Sequence, residues 1–119
     1  MTAGQLGAWG ERQAEEYLLK KGYRLLKRRY RCRFGEIDLV MKLGEITVFV
    51  EVKTRSDVRF GLPREYVTGS KQRKLTMAAM KWIESCGEEI QPRFDVVEVY
   101  ASNPSSGKAD RIVHLENVF

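Results

Sequence analysis

Two cysteines, one histidine and three prolines are all that 119 residues hold of the side chains that staple, ligate or kink a chain. Cys32 and Cys86 form no CxxC pair and His114 stands alone, which excludes a disulfide framework and a Cys/His zinc site; any metal must be held by oxygen. Long apolar runs are missing as well. Residues 46–50 and 75–80 are the longest candidates, and each is closed by charges, Glu45 and Glu51 in one case and Lys74 and Lys81 in the other, far short of the ~20 residues a bilayer requires. No membrane partner is therefore expected. The opening MTAGQLGAWGERQ lacks the basic start and apolar core of a secretion signal, so the expected location is cytoplasmic. With 43% hydrophobic and 31% charged residues, the composition is that of a packed globular protein, and the length suits one domain over residues 1–119.

Acids are missing from one stretch in particular. Residues 20–33 carry eight Lys and Arg (Lys20, Lys21, Arg24, Lys27, Arg28, Arg29, Arg31, Arg33) and no Asp or Glu. A second basic stretch runs through Lys53, Arg55, Arg59, Arg64, Lys71, Arg73 and Lys74 against Asp57 and Glu65, and beyond Ile83 the balance turns acidic. The net charge of +5 is thus concentrated. A field of one sign points to a polyanion, and nucleic acid is the partner it suits; a solvated basic face is the plainer reading.

Apolar periodicity places the elements. Leu6, Gly10, Ala14, Tyr17 and Leu18 recur at helical spacing and Gly22 closes the segment, predicting a helix from about residue 6 to 21. Residues 23–32 read as a strand, and residues 36–41 and 46–53, rich in Ile, Val and Phe, as two buried strands joined at Gly44. Residues 54–69 have no sustained period and form a loop long enough to be a functional flap. Leu75, Ala78, Ala79, Trp82, Ile83 and Cys86 define a helix over 70–86, with Ser70 as expected N-cap and Gly87 as stop. Residues 94–100 and 111–115 read as strands around the turn formers at 103–107. The order predicts an α/β fold, a mixed sheet covered by helices.

A two-residue turn at Gly44-Glu45, with Gly first as type II′ prefers, sets Asp38 opposite Glu51 and Glu36 opposite Lys53. Opposed carboxylates in strands made of Ile, Val and Phe repel each other unless a cation lies between them. Oxygen-only ligation with open positions suits Mg2+ or Mn2+. Such an ion supports phosphodiester hydrolysis, with Lys53 to orient or deprotonate water or to neutralise charge on the phosphate. The alternative is an exposed edge hairpin whose Glu and Lys form weak cross-strand ion pairs.

Gly10-Glu11, Gly35-Glu36-Ile37-Asp38, Glu51-Val52-Lys53-Thr54-Arg55, Phe60-Gly61-Leu62-Pro63, Lys71 with Lys74, and Phe94-Asp95-Val96-Val97 occur in this order along nearly the whole chain. The set resembles the YraN family of small bacterial proteins, which is similar in turn to the PD-(D/E)xK nuclease superfamily and to archaeal Holliday junction resolvases. The resemblance implies a restriction-endonuclease-like fold and a metal-dependent endonuclease of structured DNA, with DNA favoured over RNA. Asp38 and Glu51 would hold Mg2+ or Mn2+, Lys53 would assist the attacking water, and Glu11 would complete the metal shell. Ile37 stands where the superfamily has Pro. Resolvase-like proteins act as dimers, so a homodimer is implied too.

Arg55, Arg59 and Arg64 can track a phosphate backbone, and Lys71, Arg73 and Lys74 crowd the first turn of the 70–86 helix, where the helix dipole disfavours cations by ~0.3–1 kcal/mol each unless an anion binds. Lys71 reads either as a phosphate contact or as a surface lysine. His114 and Asp95 are expected to be structural. Two rivals to the nuclease stand: a non-catalytic nucleic-acid-binding module on the same fold, and an interaction protein that uses the 54–69 loop.

Overall fold

The computed structural model describes residues 2–55, 69–103 and 107–119. Its first helix, α1, spans Ala3–Lys20 and starts three residues earlier than the apolar stripe requires, because Thr2 and Gln5 form a capping box. The Thr2 hydroxyl accepts the Gln5 amide at 3.1 Å and Gln5 Oε1 accepts the Thr2 amide at 2.9 Å, so two otherwise orphaned donors are satisfied. Gly22, at φ 93°, ends the helical segment with a backbone conformation that costs glycine little.

Five strands follow in a single sheet: β1 (Arg24–Cys32), β2 (Gly35–Leu43), β3 (Ile46–Arg55), β4 (Gln91–Tyr100) and β5 (Arg111–Leu115), with α2 (Gly69–Cys86) between β3 and β4. Spatial order equals chain order, and every neighbouring pair is antiparallel except β3 and β4. A parallel pair needs a crossover, and α2 lies within it. Helix α2 begins at Gly69, so the expected cap Ser70 lies inside it. Strand β4 begins at Gln91 and takes in Pro92 near its start, a position where the missing N–H is tolerated.

Two layers of apolar side chains hold the sheet between the helices. Trp9, Ala14 and Leu18 of α1 pack with Leu39, Met41, Val48, Val50, Val97 and Val99 on one side. Leu75, Ala78 and Ala79 of α2 pack with Ile37, Val40 and Phe49 on the other. Both faces of β3 are covered, which is why residues 46–50 read as a continuous apolar run; each fully buried Val or Leu contributes roughly 1.5–3 kcal/mol. The fold is thus a mixed α/β sheet flanked by helices. Strand β1 is an edge, largely exposed, and its Lys and Arg side chains guard that edge against pairing with another chain.

Candidate active site

The hairpin turn sets the register. Gly44 has φ 58° and Glu45 does not share the positive φ, as a type II′ turn requires. The ladder pairs Leu43 with Ile46, Lys42 with Thr47, Met41 with Val48, Val40 with Phe49 and Leu39 with Val50, the register expected from the two-residue turn. There it stops. The two pairs anticipated beyond it, Asp38 with Glu51 and Glu36 with Lys53, are not ladder pairs.

The pleat explains the break. Strict alternation would put 37, 39 and 41 on one face, yet Ile37 packs under α2 while Leu39 and Met41 pack under α1. At this point Asp38 Oδ2 accepts the Val52 N–H at 2.8 Å, so a side chain replaces the ladder bond between β2 and β3. Flanking Asp38 on β1, between Arg28 and Tyr30, which pair with Leu39 and Ile37, is Arg29 at φ 49°. A non-glycine residue in that region within a strand is strained.

Freed from the ladder, Asp38 joins Glu11 of α1 and its own neighbour Glu36: carboxylate oxygens of the three lie within 4.8 Å of one another. Glu11 reaches the group because Gly10 has no side chain; a Cβ there would fall 1.8 Å from Thr54 Oγ1, so glycine lets α1 lie directly on β3. Glu36 is the member that sequence reasoning missed. Its signals were its place in the Gly35–Asp38 motif and its position two residues before Asp38; the expected partner was Lys53, but Arg31 Nε donates to it at 2.7 Å. Arg29 donates to Glu11 at 3.1 Å and Arg28 to Glu15 at 2.6 Å. The acid-free stretch of sequence thus meets its acids in space.

Glu51 looks the other way along β3, toward α2. Lys71 Nζ lies 2.5 Å and Lys53 Nζ 3.3 Å from Glu51 Oε1. Lys71, which the helical stripe turned toward the sheet, is therefore bonded to a carboxylate. Arg73 and Lys74 are exposed on α2 and Arg55 ends β3, while Arg59 and Arg64 lie outside the described residues.

The electrostatics are those of a crowded, partly dry pocket. Burial, and then the charge of Glu51, push the Asp38 carboxyl up to about 7. Burial and the neighbouring Lys71 draw Lys53 down toward the neutral amine. For Lys71, burial opposes the charge, but hydrogen bonding to Glu51 and Lys53 outweighs it and holds the ammonium up. The same environment thus stabilises one ammonium and makes the other easier to deprotonate, opposite shifts in two neighbouring lysines.

A second polar cluster gathers around Asp95. Asp95, buried in β4, accepts from Arg93 at 2.7 and 2.9 Å, from His114 at 2.7 Å and from the Asn117 amide at 3.0 Å. Lys21 donates to His114 Nδ1 at 2.8 Å, which fixes the proton on the Nε2 that faces Asp95. Burial alone would raise Asp95, but its hydrogen bonds hold it below the usual carboxylate range.

Residues 10–99 match the model of the uncharacterised protein family UPF0102, a span that contains Glu11, Glu36, Asp38, Glu51, Lys53 and Lys71. A UPF0102 protein of Caldanaerobacter subterraneus subsp. tengcongensis is 44% identical over 115 residues, 96% of this chain and 93% of the relative. One from Geobacter sulfurreducens is 42% identical over 115 residues, 96% and 88% of the two chains, and one from Symbiobacterium thermophilum is 49% identical over 96 residues, 80% and 81%. Matched along most of its length by a family model and by relatives of nearly its own size, the chain belongs to the UPF0102, or YraN, family.

Proposed function

We propose that the protein is a metal-dependent endonuclease on a restriction-endonuclease-like, PD-(D/E)xK-type fold, acting on structured DNA in the cytoplasm. The observation that carries this reading is the meeting of Glu11, Glu36 and Asp38 within 4.8 Å, with Glu51, itself held by two lysines, as a further charge that Asp38 senses. The donors are all oxygen, and a carboxyl raised to about 7 marks a site short of positive charge. That set suits Mg2+ or Mn2+. Asp38 and Glu11, with Glu36 or Glu51, would hold the ion, which when bound polarises a phosphodiester and acidifies water.

The lysines supply the rest. Lys53, drawn toward its neutral form, takes the proton of the attacking water, and Lys71 places a fixed positive charge near the phosphate. Arg55 and Lys74 extend the positive surface along which a backbone would lie. A non-catalytic nucleic-acid module is the second reading; it draws on Arg29 and Arg31, which already neutralise Glu11 and Glu36.

The test is a cleavage screen over junction, flap, nicked and single-stranded DNA with Mg2+ and Mn2+. The wild type should cut at least one branched substrate, and Lys53→Ala should cut it about a hundredfold more slowly or worse while still binding it. Binding without cleavage by the wild type favours the non-catalytic module; equal cleavage by both proteins means that the site is misplaced. In the same assay, log affinity for DNA should fall linearly with log salt, as counterion release requires. A flat response would remove the nucleic-acid partner.

A further inference from the structure

A cavity of about 550 Å³ opens between α1 and strands β1 and β2. It falls within the ~300–1,000 Å³ of small-molecule sites. Its lining shares Glu11 and Asp38 with the acid cluster, so the two spaces adjoin. Charge is segregated within it. Glu15 and Glu11 lie inside, their side chains 11% and 17% exposed, whereas Arg28 and Arg29, which bridge to them, stand outward at 65% and 47%. Half-buried Asp38 is a third acid at depth, and exposed Arg12 and Glu16 complete the mouth. Of the charged lining residues, the interior therefore holds acids alone, and the mouth three arginines against one glutamate. Ala8 and Leu39 supply the apolar wall.

We propose that this cavity receives an unpaired base of the DNA substrate, one that bears an exocyclic amine, and that the phosphate of the same nucleotide lies at the mouth. The proposal rests on the nuclease reading and narrows its substrate class. The order of charges selects the occupant. Carboxylates keep acceptor capacity after each has bonded one guanidinium, and they favour N–H donors; adenine, cytosine and guanine carry an exocyclic amine and thymine does not. A polyamine would suit the interior and be repelled by the mouth, and inorganic phosphate the reverse. A nucleotide has both ends. The Arg28–Glu15 pair, bonded at 2.6 and 2.9 Å, is a flat surface on which a base stacks. A base that is already unpaired enters without the cost of unstacking a duplex, which selects branched or flapped DNA. Because Glu11 and Asp38 border both spaces, the captured nucleotide adjoins the bond to be cut.

Fluorescence anisotropy of the full chain with labelled flap duplexes tests this in EDTA, where no cleavage step enters. Three duplexes differ only in the single-stranded arm, which is all cytosine, all thymine or all abasic. The wild type should bind the cytosine arm about tenfold more tightly than either of the others, as one well-held base allows. Ala8→Phe, which fills the cavity from the helix side, should bind all three arms at the abasic level. Glu15→Gln keeps the size of the side chain and removes its charge, so it should lose the preference for cytosine over thymine. Unchanged binding of the abasic arm shows that each variant is folded. Equal wild-type affinity for the three arms, or a cytosine preference that survives in either variant, overturns the proposal and leaves the nuclease reading to its cleavage screen. Failure to bind any arm removes both. Displacement of the flap by micromolar dCMP would make the cavity a site for free nucleotides and overturn the proposal as well.

Discussion

Asp38→Asn should make the metal-free protein more stable than the wild type at pH 8, by on the order of 4 kcal/mol, and should abolish its stabilisation by Mn2+. In the folded chain Asp38 titrates near 7, and in the unfolded chain near 3.9. Between these values the native state keeps a proton that the unfolded state has released, so wild-type stability falls as the pH rises from about 4 to 7, and the full penalty is present above that window. Asparagine carries no charge but keeps an oxygen that can accept the Val52 N–H, so the bond closing the gap between β2 and β3 survives. The variant's stability should be flat where the wild type declines.

A divalent ion turns that penalty into a gain, because it supplies the charge that burial and Glu51 make costly to omit. At a hundred times its dissociation constant an ion that binds only the native state adds about 2.7 kcal/mol. Urea midpoints in EDTA and in Mn2+, taken at pH 5, 6, 7 and 8, measure both effects. A variant less stable than the wild type at pH 8, or one that still responds to Mn2+, would remove Asp38 from the centre of the site.

Gly10→Ala should lose about 2 kcal/mol or more, and Gly10→Val should leave no folded protein at 37 °C. The helix gains up to ~1 kcal/mol from replacing glycine, but the added Cβ would lie 1.8 Å from Thr54 Oγ1 and 2.9 Å from Thr54 Cβ. Those separations are far inside contact, and the obstructing atoms belong to a strand covered by the helix, so α1 must lift. Overpacking of this kind typically costs 1–3 kcal/mol and occasionally more. Lifting α1 also withdraws Glu11 from Glu36 and Asp38, so residual folded protein should bind Mn2+ less tightly. Thr54→Gly in the Gly10→Ala background should recover part of the stability and Thr54→Ser little, since serine keeps the oxygen. Thermal melts of the four variants decide it; equal melting temperatures for the wild type and Gly10→Ala would show that the contact does not set the helix position.

How much of this was legible in the sequence depended on whether the signal was local. The α2 stripe from Leu75 to Ile83 and the hairpin register at Gly44-Glu45 rest on neighbours a few residues apart, and both appear as expected, whereas Cys86 at the end of the stripe is exposed. The start of α1 was missed because Gly4 and Gly7 dilute the apolar period there, although Thr2 and Gln5 carried the cap. The pairing of Asp38 with Glu51 failed for a different reason. Alternation was extended two residues past the point where the pleat breaks, and nothing in Ile37-Asp38-Leu39 announces that a carboxylate will stand in for a ladder bond. The basic run at residues 20–33 stays exposed, but Arg28, Arg29 and Arg31 within it meet Glu15, Glu11 and Glu36 from other elements, which the run itself did not show.

The sequence by itself determined the elements and their order, because hydrophobic period, turn type and side-chain chemistry act over a few residues. Only the tertiary structure decided that Glu36 joins Glu11 and Asp38 while Glu51 turns to Lys53 and Lys71. Which carboxylates share a pocket depends on where one strand leaves its neighbour and how closely a helix can approach the sheet, and both are settled by contacts between residues far apart in the chain.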